Sequence, residues 1–131
     1  LCLGAQVGRA PQGWGSGRMT YEWLAPDFPQ ANGRQEVSLL ASHQDQVLEL
    51  PEGAQLLATS DFCPVAAYAV GDHVFCVQAH PEFVEAYSGF ILDKRRAILG
   101  ESIYQNGIDS LANGHDGVQV ARMMVAFVEG K

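Results

Sequence analysis

The hydrophobic positions of this chain change period near residue 83. From Arg18 to Leu24, Met19, Tyr21 and Trp23 occupy every second position, which sets them on one face of a strand. Glu36 to Ala41 reads as a second strand and Leu56 to Thr59 as a short third. Val65 to Val70 and His73 to Gln78 flank Gly71-Asp72, a pair that predicts a tight hairpin between them. Beyond Phe83 the spacing becomes helical. Val84, Tyr87, Ile91 and Ile98 form one stripe, Ile103 to Leu111 a shorter helical stretch, and Val118, Ala121, Val125 and Val128 a last stripe that Asp116 is placed to cap. Both stripes are expected to face the core.

Glycine and proline punctuate the rest. Leu1-Cys2-Leu3 followed by Gly4 reads as the last turn of a helix with a glycine stop. Gly8 to Gly17, with Pro11, and Pro26 to Gly33 read as loops, and Pro51-Glu52-Gly53 as a turn.

Length and charge narrow the picture. The 131 residues make one domain. A net charge of −7 argues against a nucleic-acid partner, because the one basic cluster, Lys94-Arg95-Arg96, falls on a helix and reads as a solvated face. No apolar run reaches membrane-spanning length, and neither a signal peptide nor a membrane partner is expected. Three cysteines without metal spacing indicate neither a disulfide framework nor a metal site, and a reducing, cytoplasmic setting fits them.

The candidate chemistry lies at Gln78-Ala79-His80-Pro81-Glu82-Phe83, directly after the apolar run Val74-Phe75-Cys76-Val77. A histidine and a carboxylate thus stand where a strand ends, the edge at which open α/β sheets form ligand crevices. Pro81 disfavours helix at His80 and fixes its own φ, so the turn lets Glu82 fold back onto one ring nitrogen of His80. The other nitrogen is then available as a general base, giving two members of a nucleophile–His–acid triad. A plain strand-to-helix turn, with Glu82 serving the helix dipole, is the alternative for this segment alone.

In order along the chain, Ser42-His43-Gln44-Asp45-Gln46-Val47, Leu50-Pro51-Glu52-Gly53-Ala54, Leu57-Ala58-Thr59-Ser60, Cys63-Pro64 and the His80-Pro81-Glu82 segment resemble class I glutamine amidotransferases, and within them the GMP-synthase-like group. The resemblance implies an α/β, flavodoxin-like fold with C-terminal helices. Residues 1–131 would be the C-terminal part of a single such domain whose N-terminal half, with its early parallel strands, is missing. It implies that His80 is the triad base and Glu82 its orienting acid, and that His43 and Gln44 belong to the segment that holds the α-amino and α-carboxylate groups of glutamine, mostly through main-chain contacts. His73 and His115 are expected at the surface, and Trp14 reads equally as a lid or a core anchor.

The nucleophile admits two registers. Cys2-Leu3-Gly4-Ala5-Gln6 resembles the family's Cys-x-Gly-x-Gln elbow, which would make Cys2 the nucleophile. Leu3-Gly4-Ala5-Gln6-Val7 equally resembles the Leu-Gly-Gly-x-Val segment that follows the elbow helix, and this register runs into Arg9-Ala10-Pro11-Gln12-Gly13-Trp14-Gly15 without a gap. The first register deletes a helix of about three turns whose N-terminus helps build the oxyanion hole, so the second is preferred and puts the nucleophile upstream of Leu1. Cys63 and Cys76 read as small buried residues.

The expected function is hydrolysis of the glutamine side-chain amide to glutamate and ammonia, with no metal or organic cofactor in that step and the ammonia passed to a synthetase domain or subunit. Two alternatives stay open: γ-glutamyl peptide hydrolysis on the same fold, and a non-catalytic fragment that has lost its nucleophile. The isolated chain is expected to be inactive.

Overall fold

A computed structural model describes residues 1–131. Seven strands come first, β1 (Gln6–Arg9), β2 (Gly15–Trp23), β3 (Glu36–His43), β4 (Asp45–Glu49), β5 (Ala54–Thr59), β6 (Ala67–Val70) and β7 (Val74–Val77). Three helices follow, α1 (Glu85–Leu99), α2 (Glu101–Ser110) and α3 (Gly117–Val128), with a 3-10 turn at Leu111–Asn113 between the last two. The mixed α/β architecture expected from the sequence is what the chain adopts. β3-β2-β5-β6-β7 form one antiparallel sheet, and β1 pairs antiparallel with β4 apart from it. An isolated antiparallel bridge between Leu40 and His80 brings the chain beyond β7 back onto β3, so the sheet curls.

The alternation in β2 buries Tyr21 and Trp23 as expected, with Met19 packed against the same core. This core runs through Leu39, Leu57, Cys63, Val120 and Met123, and Phe28 stacks on Phe127 and meets Phe75 edge-on at its margin. β2 starts earlier than its apolar residues suggest. Gly17 adopts φ +78°, and a side chain there would meet Ser110 Oγ at 2.6 Å and Gly107 Cα at 2.8 Å. The glycine-rich stretch is therefore the seat of α2 on the sheet, not only a loop. Arg18 reinforces that seat: its N–H donates to Ser110 Oγ (2.9 Å) and its guanidinium to Gly114 O (2.8 Å).

Several expectations need correction. Leu1 to Gly4 form a turn rather than a helix end, closed by Gly4 N–H donating to Leu1 O at 3.0 Å. The hairpin between β6 and β7 pairs Val70 with Val74, so its turn holds three residues and takes in His73. Asp45–Glu49, which the sequence pattern left unassigned, is the strand β4.

The larger corrections concern the helix faces. On α3 the buried residues are Gly117, Val120, Met123 and Ala126, while Val118, Val125 and Val128 are exposed. The expected stripe is offset by one position, about a quarter turn. From Val118 to Val128 most residues are apolar, so periodicity selects no face, and the long Met123 and Phe127 side chains take the core. α1 shows the same slip. Ser88, Leu92 and Leu99 are buried, whereas Val84, Tyr87 and Ile98 are exposed. Phe90, Ile91 and Leu92 are consecutive apolar residues, and Leu92 is the one that fits over Gly107 of α2.

Candidate active site

The chain leaves β7 extended. Gln78 N–H donates to Ala66 O at 2.8 Å and His80 N–H to Leu40 O at 2.9 Å, so the backbone of His80 is tied to the middle of β3. Pro81 then turns the chain, and Phe83 N–H closes the turn on His80 O at 3.2 Å. The turn folds Glu82 back as its spacing suggests: His80 Nδ1–H donates to Glu82 Oε1 at 2.7 Å. Phe83 stacks flat against the imidazole, 4.0 Å between centroids and 8° between planes, and Tyr87 meets Phe83 edge-on at 4.9 Å. One nitrogen and one face of the ring are thus held. The Nε2 edge makes no hydrogen bond within the chain, and 36% of the side chain stays exposed.

The electrostatics agree with this geometry. Partial burial alone pushes the Glu82 carboxyl upward, but the His80 hydrogen bond, a backbone N–H of its own and the attraction of His80 together hold it below the usual carboxylate range. Glu82 therefore remains an anionic acceptor facing the ring.

His43 ends β3 close enough to His80 to feel its charge. Both ring nitrogens are buried and neither has a hydrogen-bond partner in the chain. A Cβ on Gly15, its cross-strand neighbour, would come within 3.0 Å of His43 Nε2 and 3.1 Å of Phe62, so glycine there makes room for the ring. Burial lowers the affinity of His43 for a proton, and proximity to His80 lowers it further; the Asp45 backbone opposes this only in part. Gln44 turns its carbonyl away to accept Ala10 N–H at 3.0 Å, tying the β3–β4 turn to the segment after β1. The structure therefore brings His80, Glu82 and the His43 ring into one neighbourhood, with Gln44 at its border.

The histidine expectations divide. His73 is exposed, whereas His115 has only 13% of its side chain accessible and lies between α1 and α3. Arg95 also departs from the solvated face assigned to its basic cluster. It reaches from α1 to donate to Ser42 Oγ at 2.6 Å and lies 5.1 Å above the Trp14 ring. Half-buried Trp14 is thus a platform for Arg95, and the pair braces the end of β3 beside His43. Helical spacing gave no signal for this contact, since Arg95 and Ser42 are 53 positions apart.

None of the three cysteines sits at a strand-to-helix elbow, the turn that displays nucleophiles on such sheets. Cys2 is exposed in the opening turn and is followed by β1, not by a helix. Cys63 is fully buried, its thiol pushed up to about 11 by burial. Cys76 lies within β7, half-buried. A cavity of about 840 Å3 lies towards the other end of the β2–β3 ladder among Glu22, Glu36, Thr59 and Asp61, and does not include His80. No helix is long and apolar enough to cross a membrane.

Comparison with known proteins places this geometry in context. No family model matches the chain. γ-Glutamyl peptidase 2 of Arabidopsis thaliana is 32% identical over 137 residues, an alignment that takes in 98% of this chain and 54% of the peptidase. The GMP synthase [glutamine-hydrolyzing] of Paraburkholderia phymatum is 41% identical over 64 residues, 48% of this chain and 12% of the synthase. Among solved structures, a glutamine amidotransferase from Thermotoga maritima superposes with a TM-score of 0.75 at 17% identity, covering 97% of this chain and 56% of that one, a likeness of fold. The chain thus spans about half the length of the peptidase and of the solved amidotransferase.

Proposed function

This chain is a homologue of the class I glutamine amidotransferases, and on that premise we propose that His80 and Glu82 are the base and orienting acid of a glutamine-hydrolysing triad. The observation that carries this reading is the 2.7 Å hydrogen bond from His80 Nδ1 to Glu82, which leaves Nε2 for chemistry at the end of β7. The nucleophile is a cysteine of the parent domain outside this segment, since Cys2 lacks an elbow and Cys63 is sealed in the core. Residues 1–131 are accordingly the C-terminal part of one amidotransferase domain.

The chemistry follows. The cysteine thiolate attacks the side-chain amide carbon of glutamine. As the C–N bond breaks, the His80 imidazolium donates a proton from Nε2, and ammonia leaves with the thioester formed. His80, now neutral, takes a proton from the attacking water, and the thioester yields glutamate and the thiolate. Glu82 stabilises the imidazolium and keeps Nε2 aimed at the thiol. The backbone of His43 and Gln44 holds the α-amino and α-carboxylate ends of the substrate. No residue in these steps needs a metal or organic cofactor, and a reducing cytoplasm keeps the thiol free. The ammonia passes to a synthetase domain or subunit, as the GMP synthase relative suggests.

The second reading, γ-glutamyl peptide hydrolysis with water as acceptor, is favoured by one observation: a γ-glutamyl peptidase matches 98% of this chain. The two readings share the triad and differ in the leaving amine. Glutamate release by the full-length parent, measured with glutamine and with γ-glutamyl dipeptides, separates them. A larger kcat/KM for glutamine supports the amidotransferase and a larger value for the peptide supports the peptidase. Absence of turnover on both would reject the triad. The purified 131-residue chain should be inactive on either substrate, and turnover that vanishes in Cys2→Ala would restore Cys2 as nucleophile.

A further inference from the structure

The segment His115-Asp116-Gly117 takes no part in the chemistry above, yet Asp116 and Gly117 each touch a segment that carries it. Gly117, the first residue of α3, is pressed against the carbonyl of Pro81, and a Cβ at position 117 would overlap that oxygen. The obstacle is backbone and cannot swing aside as a side chain would. It belongs to the peptide that joins Pro81 to Glu82, so its position sets where the Glu82 side chain departs and whether it meets His80.

Asp116 occupies the N-cap position of α3 but caps nothing with its side chain. Its Oδ2 accepts Ser38 N–H at 2.8 Å, its own N–H donates to Ser38 O at 2.7 Å, and its Oδ1 pairs with Arg34 at 3.2 Å. Ser38 stands two residues before Leu40, whose carbonyl holds His80 N–H. His115 completes the junction. Its Nδ1 accepts Gly117 N–H at 3.1 Å, and its Nε2 edge faces Glu85, in the first turn of α1, at 3.8 Å.

We propose that Asp116 and Gly117 are positioning residues for His80: Asp116 fixes the strand that holds its backbone, and Gly117 fixes the peptide from which its acid partner extends. The role in turnover rests on the triad reading, whereas the geometric effect on His80 does not. A misplacement near 1 Å costs an active site as much as about 10²-fold in rate, so a clamp of this kind governs kcat more than substrate affinity.

The test uses the full-length parent labelled with 15N-histidine. In the unaltered protein His80, wherever its ring is neutral, should show a single tautomer protonated at Nδ1. In Gly117→Ala the same resonance should report mixed tautomers, with the far-UV spectrum retained, kcat on glutamine reduced about tenfold or more, and KM within about twofold. A folded Gly117→Ala with the original His80 signature and unchanged kcat would overturn the proposal. Mixed tautomers with unchanged kcat would uphold the clamp and reject the catalytic role of His80. If Gly117→Ala does not fold, Asp116→Ala and Asp116→Asn decide. Asn keeps an oxygen for Ser38 N–H, so it should recover most of the kcat lost in Ala. Wild-type kcat and His80 spectrum in Asp116→Ala would contradict the proposal.

Discussion

His80 and Glu82, two positions apart, are joined by a 2.7 Å hydrogen bond from Nδ1 to Oε1 across the turn that Pro81 makes. The carboxylate is thereby held below its usual range of protonation. Whatever stability the pair contributes is present above the unfolded value near 4.5 and is lost as pH falls through the lower folded value. A carbon-detected titration of Glu82 should give a midpoint below that of an exposed glutamate, and His80→Ala should move it upward. An unmoved midpoint would mean that the pair is not formed. In turnover, Glu82→Gln should cost less than loss of His80, because the amide still positions the ring but no longer stabilises its charge.

His43 yields a stability prediction of the same sign by a different route. Its folded proton affinity is depressed by burial, so the contribution of the neutral ring is present above the unfolded value near 6.5 and is lost as pH falls through the lower folded value. The urea midpoint should therefore fall between about pH 7 and pH 5. In His43→Leu that fall should be smaller. Equal falls in both proteins would show that the ring is solvated.

The burial on α3 predicts which of its apolar residues matter. Met123 is fully buried and Val128 is 83% exposed. Met123→Ala should cost about 2–5 kcal/mol of unfolding free energy, and Val128→Ser should stay within about 0.5 kcal/mol. The reverse order in chemical denaturation would restore the stripe that simple periodicity suggests.

That contrast also marks how far the sequence was legible. The alternation Met19, Tyr21, Trp23 identified a core-facing strand because polar residues separate its apolar ones. In α1 the consecutive Phe90-Ile91-Leu92, and in α3 the mostly apolar run from Val118 to Val128, leave more than one face open, and packing against Gly107 or Phe28 decided it. β4 escaped notice because its burial centres on Gln46, whose amide donates to Phe62 O at 3.1 Å, rather than on an apolar residue. At the site, His80 and Glu82 could be paired because the proline turn is local. The braces from Arg95 to Ser42 and from Asp116 to Ser38 span 53 and 78 positions, distances at which a single sequence carries no contact signal.

The central claim is that His80 supplies the general acid and base of glutamine hydrolysis. Steady-state glutamate release by the full-length parent carrying His80→Ala tests it directly, with circular dichroism confirming the fold. General acid–base assistance is worth about 10²–10⁴-fold, so kcat/KM should fall by at least about 10². A folded His80→Ala enzyme with near-normal turnover would contradict the account and leave His80-Pro81-Glu82 as a structural turn between β7 and α1.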